Sequence, residues 1–219
     1  MRMTTTGSLH RAPHRNRNGY RGKRLFDLAL ILISTPITLP LAILCALAVR
    51  LDTPGPIIFR QARVGLNGRV FSLWKFRSMV HGRNPNPLFP DASRITRSGH
   101  FLRRTALDEL PQLINVLRGE MSLVGPRPTL SYQVDRYTPR QRQRLTLRPG
   151  LTGLAQIRGR NSLTWEKRIE YDLSYLANQS PLRDVEIILR TFAVLLRGSG
   201  MAGHPTQDPL AAEDGEIPE

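Results

Sequence analysis

The chain has 219 residues, of which 40% are hydrophobic, and this is enough for one domain with short appendages. Its formal net charge of +15 indicates an anionic partner: nucleic acid, a lipid surface or a phosphorylated substrate. The single cysteine, Cys45, excludes an intrachain disulfide, and the five histidines form no convincing set of metal ligands.

Both ends of the chain are predicted to be disordered tails of opposite charge. Residues 1–24 are basic, with seven Lys and Arg and no acidic residue, and they show no apolar periodicity. Residues 201–219 are acidic, and residues 208–219 hold five acidic residues and no basic one. The part between the tails remains strongly basic, so we expect the folded domain itself to bind an anionic partner.

Residues 25–50 are predicted to form a re-entrant membrane helix. The run Leu28–Val49 carries no charge, and a straight helix of that length would rise about 33 Å, enough to span a bilayer core of about 30 Å. Pro36 and Pro40 lie near its middle, where each removes a helix hydrogen bond. Basic residues flank both sides, which favours keeping both ends in the cytoplasm; they are Arg21, Lys23, Arg24, Arg50, Arg60 and Arg63. A helix broken near Pro36 satisfies both constraints, and a kinked spanning helix is the alternative.

Residues 51–200 are predicted to form a cytoplasmic domain that opens with a β-hairpin. Two apolar strands flank "GLNG", and Asn67-Gly68 is a strong signal for a tight hairpin turn. Residues 81–99 contain three prolines and are predicted to be a loop.

The rest of the domain is predicted to be mostly helical. Apolar spacing indicates a helix over Leu107–Leu117, with Leu110, Leu113, Ile114 and Leu117 on one face. Two Gly/Pro-rich loops follow. A further helix is expected over Thr164–Ala177, and another from Pro181 to Gly198 with Ser180 as its cap. This last helix could be part of the core or lie along a membrane surface. The expected fold class is therefore α+β: a mostly helical, membrane-associated domain with a small β-hairpin, a re-entrant helix and amphipathic surface helices.

The segment "FLRRTALDELPQL", residues 101–113, places two carboxylates, Asp108 and Glu109, beside arginines. Acidic residues are common at a helix start because they favour the positive end of the helix dipole. On this motif alone that structural interpretation is favoured over catalysis.

Six motifs occur in an order that resembles the bacterial sugar transferases. They are "KRLFDLALILISTP", "LDTPGPIIFRQARVG", "KFRSM", "LRRTALDELPQL", "MSLVGPRP" and "RPGLTGLAQIRGRN". This family comprises small monotopic phosphoglycosyl transferases that begin polysaccharide and glycan assembly on polyprenol phosphate. The resemblance extends from about Lys23 to Gly198.

The resemblance implies an enzyme that moves a sugar 1-phosphate from a UDP-sugar to undecaprenyl phosphate and releases UMP. It implies Asp108 as the nucleophile that forms a covalent phosphosugar intermediate, with Mg²⁺ as cofactor and Asp108 as its ligand. Glu109 would position or deprotonate the acceptor phosphate. The cations that match the family pattern are Lys75, Arg103, Arg127 and Arg160. Arg103 lies five residues before Asp108, about 140° away on a continuous helix. If both act on one phosphate, as the resemblance implies, we expect a break or a helix start between them. The family breaks its membrane helix at Ser-Pro, whereas this chain has Thr35-Pro36, which keeps the hydroxyl.

The resemblance also implies a place in the cell and a set of partners. We expect the bacterial inner membrane, with the catalytic domain on its cytoplasmic face, and exopolysaccharide or glycan biosynthesis as the process. The lipid bilayer is an expected partner, nucleic acid is not, and a homo-oligomer is possible. A nucleic-acid binder and a non-catalytic membrane scaffold are the rival interpretations. The transferred sugar stays open among glucose, galactose and amino sugars.

Overall fold

The computed structural model describes residues 19–80, 92–159 and 163–196. Within these ranges the helices are α1 (Lys23–Asp52), α2 (Arg97–Thr105), α3 (Gln112–Arg118), α4 (Ser131–Asp135), α5 (Pro139–Arg142), α6 (Leu154–Arg158), α7 (Trp165–Ala177) and α8 (Pro181–Leu196). The strands are β1 (Ile58–Val64), β2 (Val70–Phe76), β3 (Ser122–Val124) and β4 (Gly150–Thr152). The predicted α+β class, mostly helical with a small hairpin, is confirmed.

Helix α1 has both of its ends attached to the same domain. Its first turns are buried against β3 and α8 through Lys23 and Asp27, and its last turns pack on β2 and α2 through Cys45 and Val49. The apolar side chains between them are largely exposed: Leu32, Ile33, Ile37, Leu39, Ile43, Leu44 and Leu47. Among the described residues, α1 is a helix long and apolar enough to cross a membrane. A helix that crossed a bilayer would have its ends on opposite sides, whereas both ends of α1 contact the same domain.

The break predicted near Pro36 is not present in the structure. The helix is continuous from Lys23 to Asp52 and contains Pro36 and Pro40. Thr35 Oγ1 donates a hydrogen bond to the Ile31 carbonyl at 2.8 Å, and Ser34 Oγ donates to the same carbonyl at 3.0 Å. Hydroxyls that bond back one turn promote bending and help satisfy carbonyls near a proline. Thr35 therefore supplies the bond expected of its hydroxyl, inside a helix that stays intact.

Cysteine labelling tests whether α1 returns to its side of entry. We expect cysteines introduced at Arg21 and Arg69, in a Cys45→Ala background, to react only with a membrane-impermeant maleimide applied from the cytoplasmic side. Both positions are exposed and lie on either side of α1, and the domain contacts both ends of the helix. Labelling of the two cysteines from opposite sides of inverted and right-side-out vesicles would establish a spanning helix instead.

The predicted hairpin is confirmed, and its turn is built as the sequence indicates. Strands β1 and β2 pair antiparallel with Ile58 opposite Phe76 and Val64 opposite Val70. Asn67 and Gly68 at the turn have φ values of 55° and 78°. Asparagine and glycine are the residues that adopt this left-handed backbone most readily.

Helices α7 and α8 begin where the sequence predicts. Thr164 caps α7, which ends at Ala177, and Ser180 Oγ accepts from the Arg183 amide at the start of α8. Helix α8 is described to Leu196, so its predicted end at Gly198 lies outside the described residues. One side of α8 is buried through Asp184 and Ile187. The other side exposes Leu182, Val185, Leu189 and Phe192, as an amphipathic surface helix does.

Two sequence predictions differ from the structure in the middle of the chain. The helix expected over Leu107–Leu117 is a 3₁₀ turn followed by α3, and the exposed side of α3 carries Ile114 and Leu117. The predicted Gly/Pro-rich loops contain a short parallel pair, β3 with β4. Three-residue strands give no period that a sequence pattern could reveal.

The predicted boundaries of the tails and the loop change as well. Helix α1 runs over Lys23–Asp52 rather than 25–50, and Tyr20 is already tied to the domain through Asp184. Within the segment predicted as loop, α2 begins at Arg97. Residues 1–18, 81–91 and 201–219 lie outside the described residues, so the predicted tails themselves stay predictions.

Candidate active site

The acidic pair lies on a tight turn between two helices. Helix α2 ends at Thr105, Ala106 takes a left-handed conformation with φ of 56°, and Leu107–Glu109 form a 3₁₀ turn before Pro111 and α3. The break expected between Arg103 and Asp108 is therefore present. A non-glycine residue in this conformation costs about 1–2 kcal/mol, so the surrounding packing holds the turn.

Four of the predicted site residues come together at this turn. Lys75 Nζ lies 2.7 Å from Glu109 Oε1 and 3.7 Å from Asp108 Oδ2. Arg127 Nη2 lies 3.3 Å from the same Glu109 oxygen. The Asp108 side chain is almost buried, and the Arg127 side chain is 53% exposed. Glu109 is thus held by both Lys75 and Arg127, whereas Asp108 has only a long contact to Lys75.

The two carboxylates differ in acidity because their surroundings differ. Burial raises the pKa of Asp108, and the Lys75 charge only partly opposes this while the Glu109 charge adds to it. Burial also disfavours ionisation of Glu109, but Lys75 and Arg127 together outweigh it and lower its pKa to about 2. Glu109 is therefore a firmly ionised counter-ion, and Asp108 is the more basic of the two.

Arg103 lies near the pair without joining it directly. Its Nε donates to Ser78 Oγ at 2.8 Å, and the break after Thr105 turns it toward the site. Burial lowers the pKa of Arg103, and the nearby Asp108 charge opposes that shift. Arg103 thus acts on Asp108 through space, with its guanidinium held by a serine hydroxyl.

The loop that carries Arg127 is fixed by close backbone packing. A Cβ on Gly150 would lie 2.1 Å from the Gly125 nitrogen, and a Cβ on Gly153 would lie 2.2 Å from the Gly125 oxygen. Only glycine permits this approach, so Gly150 and Gly153 serve close packing of the backbone. Arg144 Nη2 also donates to the Arg127 carbonyl at 3.0 Å.

Arg144 is one residue that the sequence analysis missed. It is buried, pairs with Asp172 and donates to the Tyr137 hydroxyl. This network under the loop holds the Arg127 backbone in place. No sequence signal marks Arg144 among so many arginines, because its partner Asp172 lies on a distant helix.

Arg63 is the second missed residue, and the hairpin register could have found it. Residues opposite each other in an antiparallel pair share a face. Phe59 lies opposite Lys75 and Arg63 opposite Phe71, so Arg63 shares the face of Lys75. Its Nη2 donates to Gln61 Oε1 at 2.8 Å, and its buried Nε has no hydrogen-bond partner in the described part of the chain. Burial and the neighbouring Arg127 charge lower its pKa to about 10. The sequence pattern identifies Arg63 only as one of the positive charges that flank the apolar helix.

The remaining predicted residues divide between two cases. Thr35 and Pro36 lie in the middle of α1, where Thr35 is half-buried and Pro36 is exposed. Arg160 lies outside the described residues, so its predicted role in phosphate binding stays a prediction.

Of the two carboxylates at this turn, Asp108 is the one suited to bind a metal ion. In the described ranges, no three His, Cys, Asp or Glu side chains are grouped to hold a metal. Magnesium is commonly held by one or two carboxylates together with substrate phosphates and water. Asp108, with its single long contact to Lys75, suits that mode, whereas Glu109 is already occupied by two cations.

Comparison with known proteins gives consistent matches over the whole described domain. The profile of the family described as bacterial sugar transferase matches residues 19–198. The chain is 42% identical to the uncharacterized sugar transferase EpsL of Bacillus subtilis, over 82% of this chain and 89% of that protein. It is 45% identical to a UDP-glucose:undecaprenyl-phosphate glucose-1-phosphate transferase of Caulobacter vibrioides, over 80% and 69%. A protein of the same description from Escherichia coli is 42% identical over 77% of this chain, which spans only 39% of that relative.

Proposed function

Because this chain belongs to the bacterial sugar transferase family, we propose that it transfers a sugar 1-phosphate from a UDP-sugar to undecaprenyl phosphate and releases UMP. The predicted family is confirmed by a match over residues 19–198. The proposal follows the relatives described as glucose-1-phosphate or galactose phosphotransferases acting on undecaprenyl phosphate. It is carried by one arrangement: Asp108 and Glu109 lie among Lys75, Arg103 and Arg127, on a domain that holds both ends of an apolar helix.

Asp108 is the proposed nucleophile. One carboxylate oxygen attacks the sugar-bearing phosphorus of the donor, an oxygen–phosphorus bond forms, and the bond to the UMP oxygen breaks. An oxygen of undecaprenyl phosphate then attacks the same phosphorus and regenerates the Asp108 carboxylate. A covalent intermediate replaces one encounter between two anions by two smaller steps. The raised pKa of Asp108 suits a nucleophile, because basicity and nucleophilicity rise together among carboxylates.

The cations around the pair serve to neutralise the phosphates. Arg127 is half exposed and bonded to Glu109 through only one nitrogen, so it has donors free for the donor diphosphate. The Lys75 charge opposes the rise in the pKa of Asp108 that burial causes, and so favours its ionised form. Glu109 is proposed to position these two cations rather than act as a base, because a carboxylate with a pKa of about 2 is a weak base.

Magnesium is the proposed cofactor, with Asp108 as its protein ligand. Bound Mg²⁺ would neutralise phosphate charge and make UMP a better leaving group. The protein's own contribution is the carboxylate of Asp108 and the cations whose charges favour its ionised form.

We also propose that the enzyme lies in the bacterial inner membrane with its domain on the cytoplasmic face. Both substrates of the proposed reaction meet there, since a UDP-sugar is soluble and undecaprenyl phosphate is a lipid. The exposed apolar sides of α1 and α8 would sit in the lipid, and basic residues at both ends of α1 favour the cytoplasmic side.

The test is a release assay with the full chain in nanodiscs, Mg²⁺, undecaprenyl phosphate and a panel of UDP-sugars, with UMP as the readout. We expect UMP from one sugar, dependent on the acceptor under multiple turnover. UMP from none of the sugars, with folded protein, would contradict the proposed reaction in favour of the scaffold interpretation.

The acidic limb of the pH profile should move upward when Lys75 is replaced by Gln. Lys75 lowers the pKa of Asp108, so its loss raises that pKa, and a larger fraction of Asp108 is protonated and inactive at low pH. The measurement is the rate of enzyme-bound phosphosugar formation from UDP-sugar alone, because the donor does not titrate in this range. Arg127→Gln is the matched control: Arg127 affects Asp108 less, so the limb should move less. An equal loss of rate at every pH in Lys75→Gln would assign Lys75 to substrate binding alone.

Replacing Arg63 by Gln should raise the KM for the UDP-sugar by roughly tenfold or more, since a hydrogen bond to a charged group contributes about 1.5–3 kcal/mol. Arg63 feels the charges of both Arg127 and Glu109 but forms no ion pair among the described residues. Arg69→Gln, on the tip of the same hairpin, removes the same charge from an exposed site. An unchanged KM in Arg63→Gln, or an equal rise in both variants, would exclude a direct role.

A further inference from the structure

Two arginines stack on one tryptophan on the side of the hairpin away from Lys75. The guanidinium carbons of Arg60 and Arg118 each lie 4.5 Å from the centroid of the Trp74 ring. The two guanidinium carbons are therefore separated by no more than twice their 4.5 Å distance from the ring centroid. Arg60 is the register partner of Trp74 across the β1–β2 pair, and Arg118 ends α3. Three elements thus bring two positive charges to one aromatic ring.

Neither arginine has an anionic partner within the part of the chain that the structure describes. Both are exposed and lie in no ion pair or hydrogen bond with another described residue, whereas exposed arginines elsewhere pair with Glu170 and Glu186. The contact with the Trp74 ring restrains both guanidinium groups, and their N–H donors have no acceptor among the described residues. A planar, preoriented guanidinium is suited to binding phosphate through two hydrogen bonds.

The C-terminal end of α3 lies beside the start of the membrane helix. Arg24 on α1 donates to the carbonyls of Val116 and Leu117, the second at 2.8 Å. Leu117 is 51% exposed and Leu25, the next residue of α1, is 73% exposed. The exposed side chains of Leu25 and Leu117 therefore lie near the end of α3 that carries Arg118. Exposed leucines next to a basic residue are typical of a segment at a membrane surface, with the apolar side chains in the acyl region and the charge at the headgroups.

The position of α3 on the hairpin is firmly held. Asn115 accepts from the Trp74 amide at 3.1 Å and donates to the Ser72 carbonyl at 2.7 Å. Asn115 is fully buried. These bonds dock α3 on the free edge of β2, so the spacing between Arg118 and Trp74 is set by the backbone.

We propose that Arg60, Trp74 and Arg118 form a binding site for the phosphate headgroup of an anionic membrane phospholipid. Tryptophan is enriched at the membrane interface, and arginines there bind anionic headgroups. Trp74 and Lys75 are consecutive in a strand and point to opposite faces, so the site is separate from the one around Asp108. Its occupant would hold the hairpin against the membrane while the substrates bind on the other face.

The test is lipid retention by the full chain, measured by native mass spectrometry after extraction from nanodiscs. The probes are phosphatidylglycerol and phosphatidylcholine, mixed in equal amounts. We expect wild-type protein to retain phosphatidylglycerol preferentially. The preference should fall by about fivefold for each arginine replaced, in Arg60→Gln and in Arg118→Gln, from the usual contribution of a basic residue at an anionic surface. Trp74→Leu should reduce it as well, because the two guanidinium groups lose the ring that orients them.

The controls separate a built site from general charge. Arg69→Gln removes one charge from the tip of the same hairpin and should leave the preference unchanged. The double variant Arg60→Lys/Arg118→Lys keeps both charges but loses the planar guanidinium groups. It should retain only part of the preference for phosphatidylglycerol. Inorganic phosphate added in excess should not displace the lipid, because the exposed leucines contribute to its binding. An equal loss in Arg69→Gln, an unchanged preference in the double Gln variant, or displacement by inorganic phosphate would each overturn the proposal. The readout does not depend on turnover, so it stands apart from the proposed reaction.

Discussion

Replacing Asp108 by Asn is expected to lower turnover by at least about a thousandfold, because an amide is a poor nucleophile and the whole covalent route is lost. The substitution should leave the fold intact. Burial already disfavours the charged form of Asp108, so a neutral side chain of the same shape removes a desolvation cost. Lys75 keeps its closer partner, Glu109. Thermal unfolding of the two proteins should therefore be nearly the same.

Trapping the intermediate separates this mechanism from direct transfer. Wild-type protein incubated with the UDP-sugar and Mg²⁺ but without undecaprenyl phosphate should gain the mass of one phosphosugar, and peptide mapping should place it on Asp108. Glu109→Gln is the matched control, since it changes the neighbouring carboxylate and should still form the adduct, more slowly. Glu170→Gln, an exposed acid on α7, should behave as wild type. An adduct in Asp108→Asn, or turnover retained there, would exclude Asp108 as the nucleophile.

The elements that could be predicted from the sequence are those whose signals are local. Asn67-Gly68 specifies its own turn, Thr164 and Ser180 cap the helices that follow them, and the apolar run from Leu28 identifies the membrane helix. The turn and the caps depend on backbone preferences within a few residues, and the helix depends on a long uninterrupted run of apolar side chains. The break at Ala106 was predictable for a different reason: the spacing of Arg103 and Asp108 was wrong for a continuous helix.

What could not be predicted depends on contacts between distant parts of the chain. The Gly125–Gly150 approach creates a parallel pair out of two segments that look like loops. Arg144 gains its place from Asp172, far along the chain. The apolar pattern of α3 did not identify its buried side, because Ile114 and Leu117 are apolar and yet exposed. In a membrane-associated protein, apolar periodicity marks lipid-facing sides as well as the core.

The same limit applies to Lys23, which the sequence placed in a disordered basic tail. In the structure its Nζ lies 2.8 Å from Asp27 Oδ1 and 2.6 Å from Asp184 Oδ2, and both acids are almost fully buried. Asp184 also accepts from the hydroxyls of Tyr20 and Tyr175, at 3.0 and 2.6 Å. Asp27 accepts from Ser122 Oγ at 2.7 Å. One lysine thus joins the first turns of the membrane helix to the interior of the domain.

Replacing Lys23 by Met should therefore lower the free energy of unfolding by about 3–5 kcal/mol, the usual cost of leaving buried charge without its partner. Two carboxylates would remain buried with hydroxyl donors alone. Unfolding by denaturant in detergent micelles measures the loss. Arg21→Met, two residues earlier and exposed, is the matched control and should change stability by less than about 0.5 kcal/mol.

A second variant tests whether the loss of stability in Lys23→Met comes from unpaired charge rather than from packing. Adding Asp184→Asn to Lys23→Met removes one of the two orphaned carboxylates, so the double variant should be more stable than Lys23→Met alone. A non-additivity of this kind is the signature of a direct interaction. Simple loss of packing by the lysine stem predicts the opposite, with the two costs adding. If Lys23→Met unfolds within about 1 kcal/mol of wild type, water screens the network, and the attachment of the membrane helix must depend on its C-terminal contacts at Cys45 and Val49.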